Sequence, residues 1–302
     1  MQENELKILL KDFGDNVVFN QDLKKKNWFN IGGRSKVFYK SNNLKDLIKF
    51  LKLLDDKEKI FVIGAGSNIL ISDSFFDGVV IKLSKNFNRT SLLREDIIIS
   101  GSAVLDNNLS QFAAKNHLSG FEFLSCIPGS VGGGIRMNAG CFGKEFKDIL
   151  LSIQAIDIKG NLITIPAKKI NFEYRNNDLP ENLIFLSASF KGVKSNFIQI
   201  NNEMDKMIAE KKENQPMKIK TSGSTFKNPV KQTDKKVWEL IRESVPKDTM
   251  FGDAYISNKH ANFFVNKGNA SFKDMKKLID YVKGEVLKKT GIRIDKEIKI
   301  LE

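Results

Sequence analysis

The chain has few of the residues that metal centres and disulfide frameworks need. Its 302 residues include only two cysteines, Cys126 and Cys141, and two histidines, His117 and His260. The cysteines lack a zinc-binding spacing such as C-x2-C, and two histidines are too few to complete a zinc or non-haem iron site. We therefore predict no metal. We expect both thiols to be reduced and structural, because disulfides are rare in the cytosol.

Long apolar runs are also missing. No segment approaches the roughly 18 apolar residues that a membrane-spanning helix needs. The N-terminal segment MQENELKILLKDFGDN mixes charges into its apolar residues, unlike a signal peptide. Hydrophobic residues make up 41% of the chain, which is enough for a globular core. These features predict a cytoplasmic protein of two or three domains with no membrane partner.

Basic residues outnumber acidic ones, and the formal net charge is +13. Three interpretations are open: a nucleic-acid-binding surface, a lysine-rich solvated surface, or a positive cleft that attracts small phosphate-bearing ligands. Clusters such as KKK at 24–26 alternate with acidic residues elsewhere, and no nucleic-acid-binding module is recognisable. We favour the solvated surface and predict no nucleic-acid partner.

Hydrophobic periodicity predicts alternating helices and strands up to about residue 195, in a mixed α/β or α+β arrangement. The predicted helices are at 44–54 and 109–118, and the predicted strands are at 60–63, 79–83, 97–100, 151–158, 162–165 and 184–190. A charged helix at 196–214, bounded by Pro216, then marks the start of a second domain at about 196–302.

The predicted elements of the last third are a helix at 235–244, a strand at 262–266 and a helix at 271–289. Asn269 or Ser271 could cap the last of these helices. The final segment, GIRIDKEIKILE, alternates isoleucines with charged residues, which predicts a half-buried strand.

Two glycine-rich segments stand out. GAGSN at 64–68 follows a predicted strand, but it lacks the third glycine of a Rossmann fingerprint and the Gly-Lys-Ser/Thr of a Walker loop. IPGSVGGGIRMNAG at 127–140 contains five glycines. Free backbone N–H groups in such turns form anion sites, to which Ser67 and Ser130 can add hydroxyl donors. The pair predicts an extended ligand with a pyrophosphate, such as a dinucleotide.

Six segments then occur in an order that is specific as a set. They are NWFNIGG (27–33), VIGAGSNILISD (62–73), GFEFLSCIPGSVGGGIRMNAGCFGKEF (120–146), FEYRNNDL (172–179), SGSTFKNP (222–229) and GDAYISNKHANFFVN (252–266). Together they resemble the UDP-N-acetylenolpyruvoylglucosamine reductase family (MurB) of peptidoglycan precursor synthesis, in its compact type. The resemblance covers nearly the whole chain.

The resemblance implies an α+β fold in two parts. A two-lobed FAD-binding domain of the vanillyl-alcohol-oxidase type would occupy 1–195, with lobes at about 1–83 and 84–195. A substrate-binding α+β domain would occupy 196–302. NADPH would reduce FAD and leave, after which UDP-N-acetylglucosamine enolpyruvate would take up a hydride and a proton to give UDP-N-acetylmuramate. The implied enzyme is a monomer with small-molecule partners only.

The resemblance also assigns residues by matching position. The FAD contacts would be Gly64, Ala65, Gly66, Ser67, Asn68, Ile127, Pro128, Gly129, Ser130, Gly132, Gly133, Asn138 and Gly140. The catalytic residues would be Arg175, Ser224 and Glu297, and the substrate contacts would be Asn228 and Lys212.

Each catalytic assignment has a chemical reason. The Arg175 guanidinium could hold the substrate carboxylate and stabilise the enolate-like charge that forms on it. Ser224 could donate the proton if it were held against a strongly basic carbon. Beside the substrate carboxylate, like charge would favour a protonated, proton-donating Glu297. Outside their motifs, the three would be an ordinary surface arginine, a turn hydroxyl and a solvated carboxylate.

Two other interpretations stay open. One is a different flavoenzyme of the same fold, such as an oxidase of a small alcohol. The other is a basic nucleic-acid-binding protein, which would carry no chromophore. His260 receives no chemical role, and Cys126 would be a small buried residue that could lie near the flavin.

Overall fold

The computed structural model describes residues 3–302 and divides into two compact units. Unit 1 comprises the residues up to Gln21 with Ser35–Ala65 and Asp77–Glu210, and unit 2 comprises Asp22–Arg34, Gly66–Phe76 and Lys211–Glu302. The α-helices are α1 Glu3–Leu9, α2 Leu44–Leu53, α3 Asp106–Lys115, α4 Val131–Arg136, α5 Phe197–Asn214, α6 Val237–Ser244 and α7 Phe272–Thr290. The strands are β1 Val17–Asp22, β2 Arg34–Ser41, β3 Ile60–Val62, β4 Ile69–Ile71, β5 Phe76–Leu83, β6 Thr90–Arg94, β7 Ile97–Gly101, β8 Leu118–Ser119, β9 Gly140–Cys141, β10 Lys144–Glu145, β11 Leu150–Ile156, β12 Leu162–Pro166, β13 Phe172–Glu173, β14 Asn176–Asn177, β15 Ile184–Lys191, β16 Val193–Lys194, β17 Met250–Phe251, β18 Ala254–Ile256, β19 Phe264–Asn266 and β20 Lys299–Leu301.

Unit 1 is built on two sheets. One has the strand order β1-β2-β5-β3, in which β3 and β5 run parallel, and the other has the order β12-β11-β15-β7-β6 with antiparallel pairs. Tyr39 and Phe50 stack at 3.9 Å in the core beside the first sheet. The ring centroids of Phe146 and Phe190 lie 6.0 Å apart in the core beside the second sheet. An aromatic pair therefore lies in the core beside each sheet.

The predicted helix at 44–54 is confirmed as α2, and its start shows why it forms. Asn43 caps it, because the Asn43 Oδ1 accepts from the Asp46 amide at 2.9 Å. Leu47, Phe50 and Leu51 follow at helical spacing and are buried. The helix packs this apolar face into the core beside the first sheet.

Unit 2 contains a three-stranded sheet in the order β17-β18-β19, the parallel pair β4 and β20, and the helices α6 and α7. Of the two predicted caps, Asn269 and Ser271, it is Ser271 that caps α7, in a capping box with Asp274, and Gly291 ends the helix with a φ of 72°. The apolar face of α7 buries Leu278 and Val282 in the core of the unit. Among residues 3–302, no helix is both long enough and apolar enough to cross a membrane.

The C-terminal prediction holds for burial but not for the extent of the strand. Ile294 and Ile298 are buried, but only Lys299–Leu301 forms a strand. Before it, the chain makes single hydrogen bonds to an irregular segment: the Lys227 amide donates to the Asp295 carbonyl at 2.8 Å. Buried and exposed residues therefore alternate in this segment, although most of it does not pair with another strand in a β-sheet.

The two units also differ in outline from the predicted division at 195/196. The segments Asp22–Arg34 and Gly66–Phe76, predicted in the first domain, belong to unit 2. The cause is long-range pairing, since β4 runs parallel to β20 with Ile69 opposite Lys299. Local periodicity carries no information on such a pairing.

Candidate functional site

The glycine-rich segment 127–140 pairs with the chain that enters α3. The Gly132 amide donates to the Ser102 carbonyl and the Val131 amide to the Val104 carbonyl, both at 2.9 Å. The Asp106 amide donates to the Gly129 carbonyl at 3.1 Å. This antiparallel contact in unit 1 aligns residues 102–106 with residues 129–132.

Three polar side chains on these paired segments are buried without a partner. Ser102, Asp106 and Ser130 are 6%, 0% and 4% exposed. Within residues 3–302, neither hydroxyl oxygen nor either Asp106 carboxyl oxygen has a hydrogen-bond partner. Buried polar groups in native proteins are almost always paired, so four unpaired oxygens on adjoining segments need an explanation. We call these three side chains the polar cradle.

Burial sets the charge state of Asp106. Complete desolvation raises the pKa of its carboxyl well above the usual range. Asp106 is the first residue of α3, whose positive end favours a carboxylate by about 1 kcal/mol. The cost of burying an unpaired charge is several kcal/mol. Desolvation therefore outweighs the helix end, and burial favours the neutral acid.

Three glycines leave room for the cradle. A Cβ at Gly129 would collide with the Asp106 Oδ2, and one at Gly64 would collide with the Ser130 Oγ. A Cβ at Gly132 would lie 2.9 Å from the Ser102 Cβ. Each of these positions excludes any larger residue while the cradle side chain keeps its place.

The prediction that 127–140 presents a row of free amides is wrong for most of the segment, where amides donate to backbone carbonyls of the chain. Gly129, Val131, Gly132 and Gly134 donate to carbonyls at 3.0, 2.9, 2.9 and 2.8 Å. The segment forms the short helix α4, in which Gly134 packs against Phe146 so closely that no Cβ would fit. Within 127–140, the buried polar group without a partner in the described residues is the Ser130 hydroxyl.

The loop at 64–68 fits the backbone prediction better. Across residues 3–302, no backbone carbonyl accepts from the amides of Gly64, Ala65, Gly66 or Ser67. Gly66 has a φ of 70° and lies so close to the Lys26 carbonyl that a Cβ would collide with it. The Asn68 Nδ2 donates to the Glu297 carbonyl at 3.2 Å. Among the other predicted FAD contacts, Ile127 is partly buried, while Pro128 and Gly133 are exposed.

Arg175 lies in a second polar cluster of unit 1. Its Nη2 donates to the Gly140 carbonyl at 2.6 Å and its Nη1 to the Asn138 carbonyl at 3.4 Å. The Glu145 Oε1 lies 3.5 Å from Nη1. The Arg175 backbone is left-handed, with a φ of 57°, which is uncommon for a residue with a side chain. The guanidinium is thus held by several groups at once.

Asn138 and Glu145 hold the rest of this arginine cluster, which we define as Asn138, Glu145 and Arg175. The Asn138 Nδ2 donates to the Glu145 Oε2 and to the Glu173 carbonyl, both at 3.0 Å. Its Oδ1 accepts from the Lys147 amide at 3.1 Å. Asn138 is completely buried, and its side chain supports the turn that carries Arg175. A direct contact of Asn138 with FAD stays a prediction, as does that of Gly140.

Ser224 and Glu297, which are 73 positions apart in sequence, come together in unit 2. The Glu297 amide donates to the carbonyl of Thr225, the residue after Ser224, at 2.8 Å. Ser224 itself pairs with Phe263 in an isolated antiparallel bridge. Both side chains are partly buried. A hydroxyl and a carboxyl group are therefore anchored by backbone pairing on adjacent segments of one unit.

The remaining predicted residues of unit 2 have mixed surroundings. The Asn228 Oδ1 accepts from the Val237 amide at 2.9 Å, at the start of α6. Lys212 is exposed near the end of α5, and its carbonyl accepts from the Lys259 Nζ at 2.6 Å. Burial lowers the pKa of His260 to about 4, and its Nδ1 accepts from the Asn262 amide at 3.2 Å. His260 is therefore a neutral ring packed against Phe263 at 4.7 Å.

Comparison with known proteins bears on both units. A family model described as FAD binding domain matches residues 36–166. Another, described as UDP-N-acetylenolpyruvoylglucosamine reductase, C-terminal domain, matches residues 215–301. The α+β fold with an FAD-binding part and a C-terminal part, predicted from the sequence, is thereby confirmed.

Whole-chain relatives agree with these matches. The chain is 62% identical to the UDP-N-acetylenolpyruvoylglucosamine reductase of Pelagibacter ubique (strain HTCC1062) over 302 residues, which cover 100% of both chains. It is 43% identical to the reductase of Rickettsia typhi, over 92% of this chain and 93% of that one. The crystal structure of the Thermus caldophilus enzyme (MurB) superposes with a TM-score of 0.81 at 29% identity, over 95% of this chain and 98% of that one. On full-length identity of this degree, the chain belongs to the UDP-N-acetylenolpyruvoylglucosamine reductase family that its six segments predicted.

Proposed function

We propose that this chain is an FAD-dependent oxidoreductase that reduces UDP-N-acetylenolpyruvoylglucosamine to UDP-N-acetylmuramate, with NADPH as the electron donor. Family membership supports the reductase activity, and the match at 36–166 supports FAD. NADPH, a monomeric state and a cytoplasmic location follow from the sequence resemblance. Neither a small-alcohol oxidase nor a nucleic-acid-binding protein accounts for the C-terminal match at 215–301.

The residues of unit 1 suit FAD. The polar cradle offers two hydroxyls and one carboxyl without a partner in the described chain, and Gly64 and Ala65 offer amides without a backbone acceptor. Pyrophosphate, ribitol and ring acceptors of a flavin dinucleotide need such donors. When bound, FAD takes a hydride from NADPH and delivers one to the substrate. We therefore assign FAD binding to the domain predicted at 1–195 and substrate binding to the one at 196–302.

Arg175 serves the second half-reaction. Hydride addition to the vinyl carbon of the substrate places negative charge on the neighbouring carbon and its carboxylate. A guanidinium already fixed by the Asn138 and Gly140 carbonyls can meet that charge without reorganising. A fixed fork also binds a carboxylate through two parallel hydrogen bonds.

The observation that carries the proposal is the adjacency of Ser224 and Glu297. The charged carbon must be protonated, and a serine hydroxyl can do this only when it is held in place. The bridge from Ser224 to Phe263 and the bond from Glu297 to Thr225 fix both groups through the backbone. We assign proton donation to Ser224 and support of that step to Glu297, with Asn228 and Lys212 as substrate contacts.

Half-reactions measured separately test this assignment. In Ser224→Ala, NADPH should still bleach the flavin at the wild-type rate, while reoxidation by the enolpyruvyl substrate should slow by about 10²–10⁴-fold. The matched control is Ser222→Ala, because the Ser222 hydroxyl already donates to the Ile69 carbonyl at 3.2 Å. That variant should reoxidise within about threefold of wild type. Fast substrate-driven reoxidation in Ser224→Ala would remove Ser224 from the proton-donor role.

A further inference from the structure

The backbone pairing at Asp106 does not depend on its side chain. Its amide pairs with the Gly129 carbonyl, so the backbone contact would be the same with any side chain. Its carboxyl is 0% exposed, yet both oxygens lack a partner among residues 3–302. Such a group destabilises the chain alone, and a leucine or alanine would remove that cost. The carboxyl therefore serves something outside the chain.

The surroundings of the carboxyl indicate what it serves. The Asp106 Oδ2 lies against Gly129, within the segment whose glycines we assign to FAD. Ser102 and Ser130 add two more unpaired buried hydroxyls on the same paired segments. Three side chains that can each donate a hydrogen bond match a ligand rich in acceptors.

The protonation state follows from burial. Full desolvation raises the pKa of the Asp106 carboxyl, and no cation pairs with it in the described chain. A neutral carboxylic acid is a donor through its O–H, whereas a carboxylate could only accept. A neutral acid also avoids repulsion by the phosphates of a dinucleotide.

We propose that Asp106 binds FAD as a neutral carboxylic acid that donates a hydrogen bond to an acceptor atom of the cofactor, with Ser102 as a second donor beside it. This assignment rests on the proposed FAD-dependent function. It makes Asp106 a cofactor-positioning residue that the glycine motifs do not reveal.

FAD binding to the full-length apoprotein tests the assignment, measured by titration of FAD fluorescence and by thermal melting with and without FAD. Asp106→Asn keeps a neutral donor at the same place, so its FAD dissociation constant should stay within about threefold of wild type. Asp106→Ala removes the donor and should raise that constant about 10–100-fold. The alanine apoprotein should melt no lower than wild-type apoprotein, because an unpaired carboxyl is lost. Ser102→Ala should raise the dissociation constant about fivefold.

Ser244→Ala is the matched control. Ser244 is another fully buried hydroxyl without a partner in the described residues, but it lies in α6 of unit 2. Its loss should leave FAD affinity unchanged. Unchanged affinity in Asp106→Ala, or an alanine apoprotein that melts lower with unchanged affinity, would place Asp106 in the fold and overturn the proposal. Equal losses in the asparagine and alanine variants would overturn the neutral-donor role. Wild-type protein that takes up no FAD would overturn the proposed function as well.

Discussion

The polar cradle and the arginine cluster of unit 1 satisfy their buried polar groups in opposite ways. In the arginine cluster, Asn138 places both its donors and its acceptor on protein groups, and the Arg175 guanidinium contacts two carbonyls and a carboxylate. In the cradle, four buried oxygens have no partner in residues 3–302. The polar groups of the first cluster have protein partners, whereas those of the second would acquire partners from the proposed cofactor.

This difference shows which groups the protein itself holds in place before a ligand binds. Arg175 is held by the protein before any substrate arrives, so its geometry is paid for during folding. The buried groups of the cradle are desolvated without partners, and the proposed contact with FAD would relieve this cost and so strengthen cofactor binding. We therefore expect loss of a group in the arginine cluster to slow the reaction with substrate, and loss of a group in the cradle to weaken FAD binding.

The largest effect that would sharpen this comparison is expected at Arg175. Arg175→Lys keeps one positive charge but loses the fixed fork that binds a carboxylate. Substrate-driven reoxidation of the reduced flavin should slow by about 10²–10³-fold, as when a single charge-stabilising donor is removed. Flavin reduction by NADPH and the FAD dissociation constant should stay within about threefold, measured by stopped-flow absorbance and by titration.

Arg136 provides the control for that experiment. It lies in the same part of unit 1, but its guanidinium donates to the carbonyls of Leu179, Pro180 and Leu183, which makes it a fold residue. Arg136→Lys should lower the melting temperature and change both half-reactions alike. If Arg175→Lys also slowed both half-reactions equally or weakened FAD binding, the two clusters would not divide chemistry from affinity.

Regular elements with strong local signals could be predicted from the sequence. The helix predicted at 271–289 is α7, Phe272–Thr290, because an apolar stripe, a serine cap and a terminal glycine all agree. The two-residue strands could not be predicted, because Asn176–Asn177 and Lys144–Glu145 are too short to carry a periodicity. The parallel pairing of β4 with β20 was equally invisible, since it joins residues far apart in sequence.

The candidate site also contains residues that the sequence could suggest and residues that it could not. Arg175, Ser224 and Glu297 could be assigned because their motifs resemble a family, and their roles stay predictions. Ser102 and Asp106 were missed, because an aspartate that precedes a predicted helix has the pattern of an ordinary exposed helix start. Their burial and their lack of partners exist only in three dimensions. Glycine content likewise indicated close approach without showing that the approaching atoms are the chain's own side chains at Gly129 and Gly64.

His260 in unit 2 is intermediate between the two clusters, with one protein partner and a largely apolar surrounding. Burial lowers the pKa of the ring to about 4, from an ordinary value of 6.5, and the Arg242 guanidinium adds to this. The unfolded chain therefore binds more protons between these values, and stability is lost as the pH falls through them. Allowing for partial exposure of the ring, His260 should lower the free energy of unfolding by about 2 kcal/mol between pH 7 and pH 4.

Asparagine replaces the Nδ1 acceptor without the titration. In His260→Asn, the loss of stability between pH 7 and pH 4 should be smaller by about 2 kcal/mol than in wild type, measured by denaturant unfolding. The two tryptophans, Trp28 and Trp238, both belong to unit 2 and report its unfolding by fluorescence. The control is His117→Asn, at the other histidine, which is exposed and has a left-handed φ of 59° that asparagine tolerates. An acid sensitivity that persists in His260→Asn would assign it to carboxylates instead.

The smallest effect, and the sharpest test of whether the arginine cluster acts as one unit, is expected at Glu145. Its carboxylate contacts the Arg175 Nη1, the Asn138 Nδ2 and the Lys147 Nζ, at 3.5, 3.0 and 2.8 Å. Glu145→Gln removes the charge but leaves the Gly140 and Asn138 carbonyls to hold Arg175. Substrate-driven reoxidation should therefore slow only about tenfold, or about 1.4 kcal/mol, with flavin reduction unchanged.

A double-mutant cycle decides whether Glu145 acts through Arg175. In an Arg175→Lys background, Glu145→Gln should have almost no further effect on reoxidation, because the group that it positions is gone. Additive losses would instead mean that Glu145 contributes independently of the guanidinium. Glu145 and Arg175 would then act independently of each other. The arginine cluster would differ from the cradle only in that the described chain provides no hydrogen-bond partners for Ser102, Asp106 and Ser130.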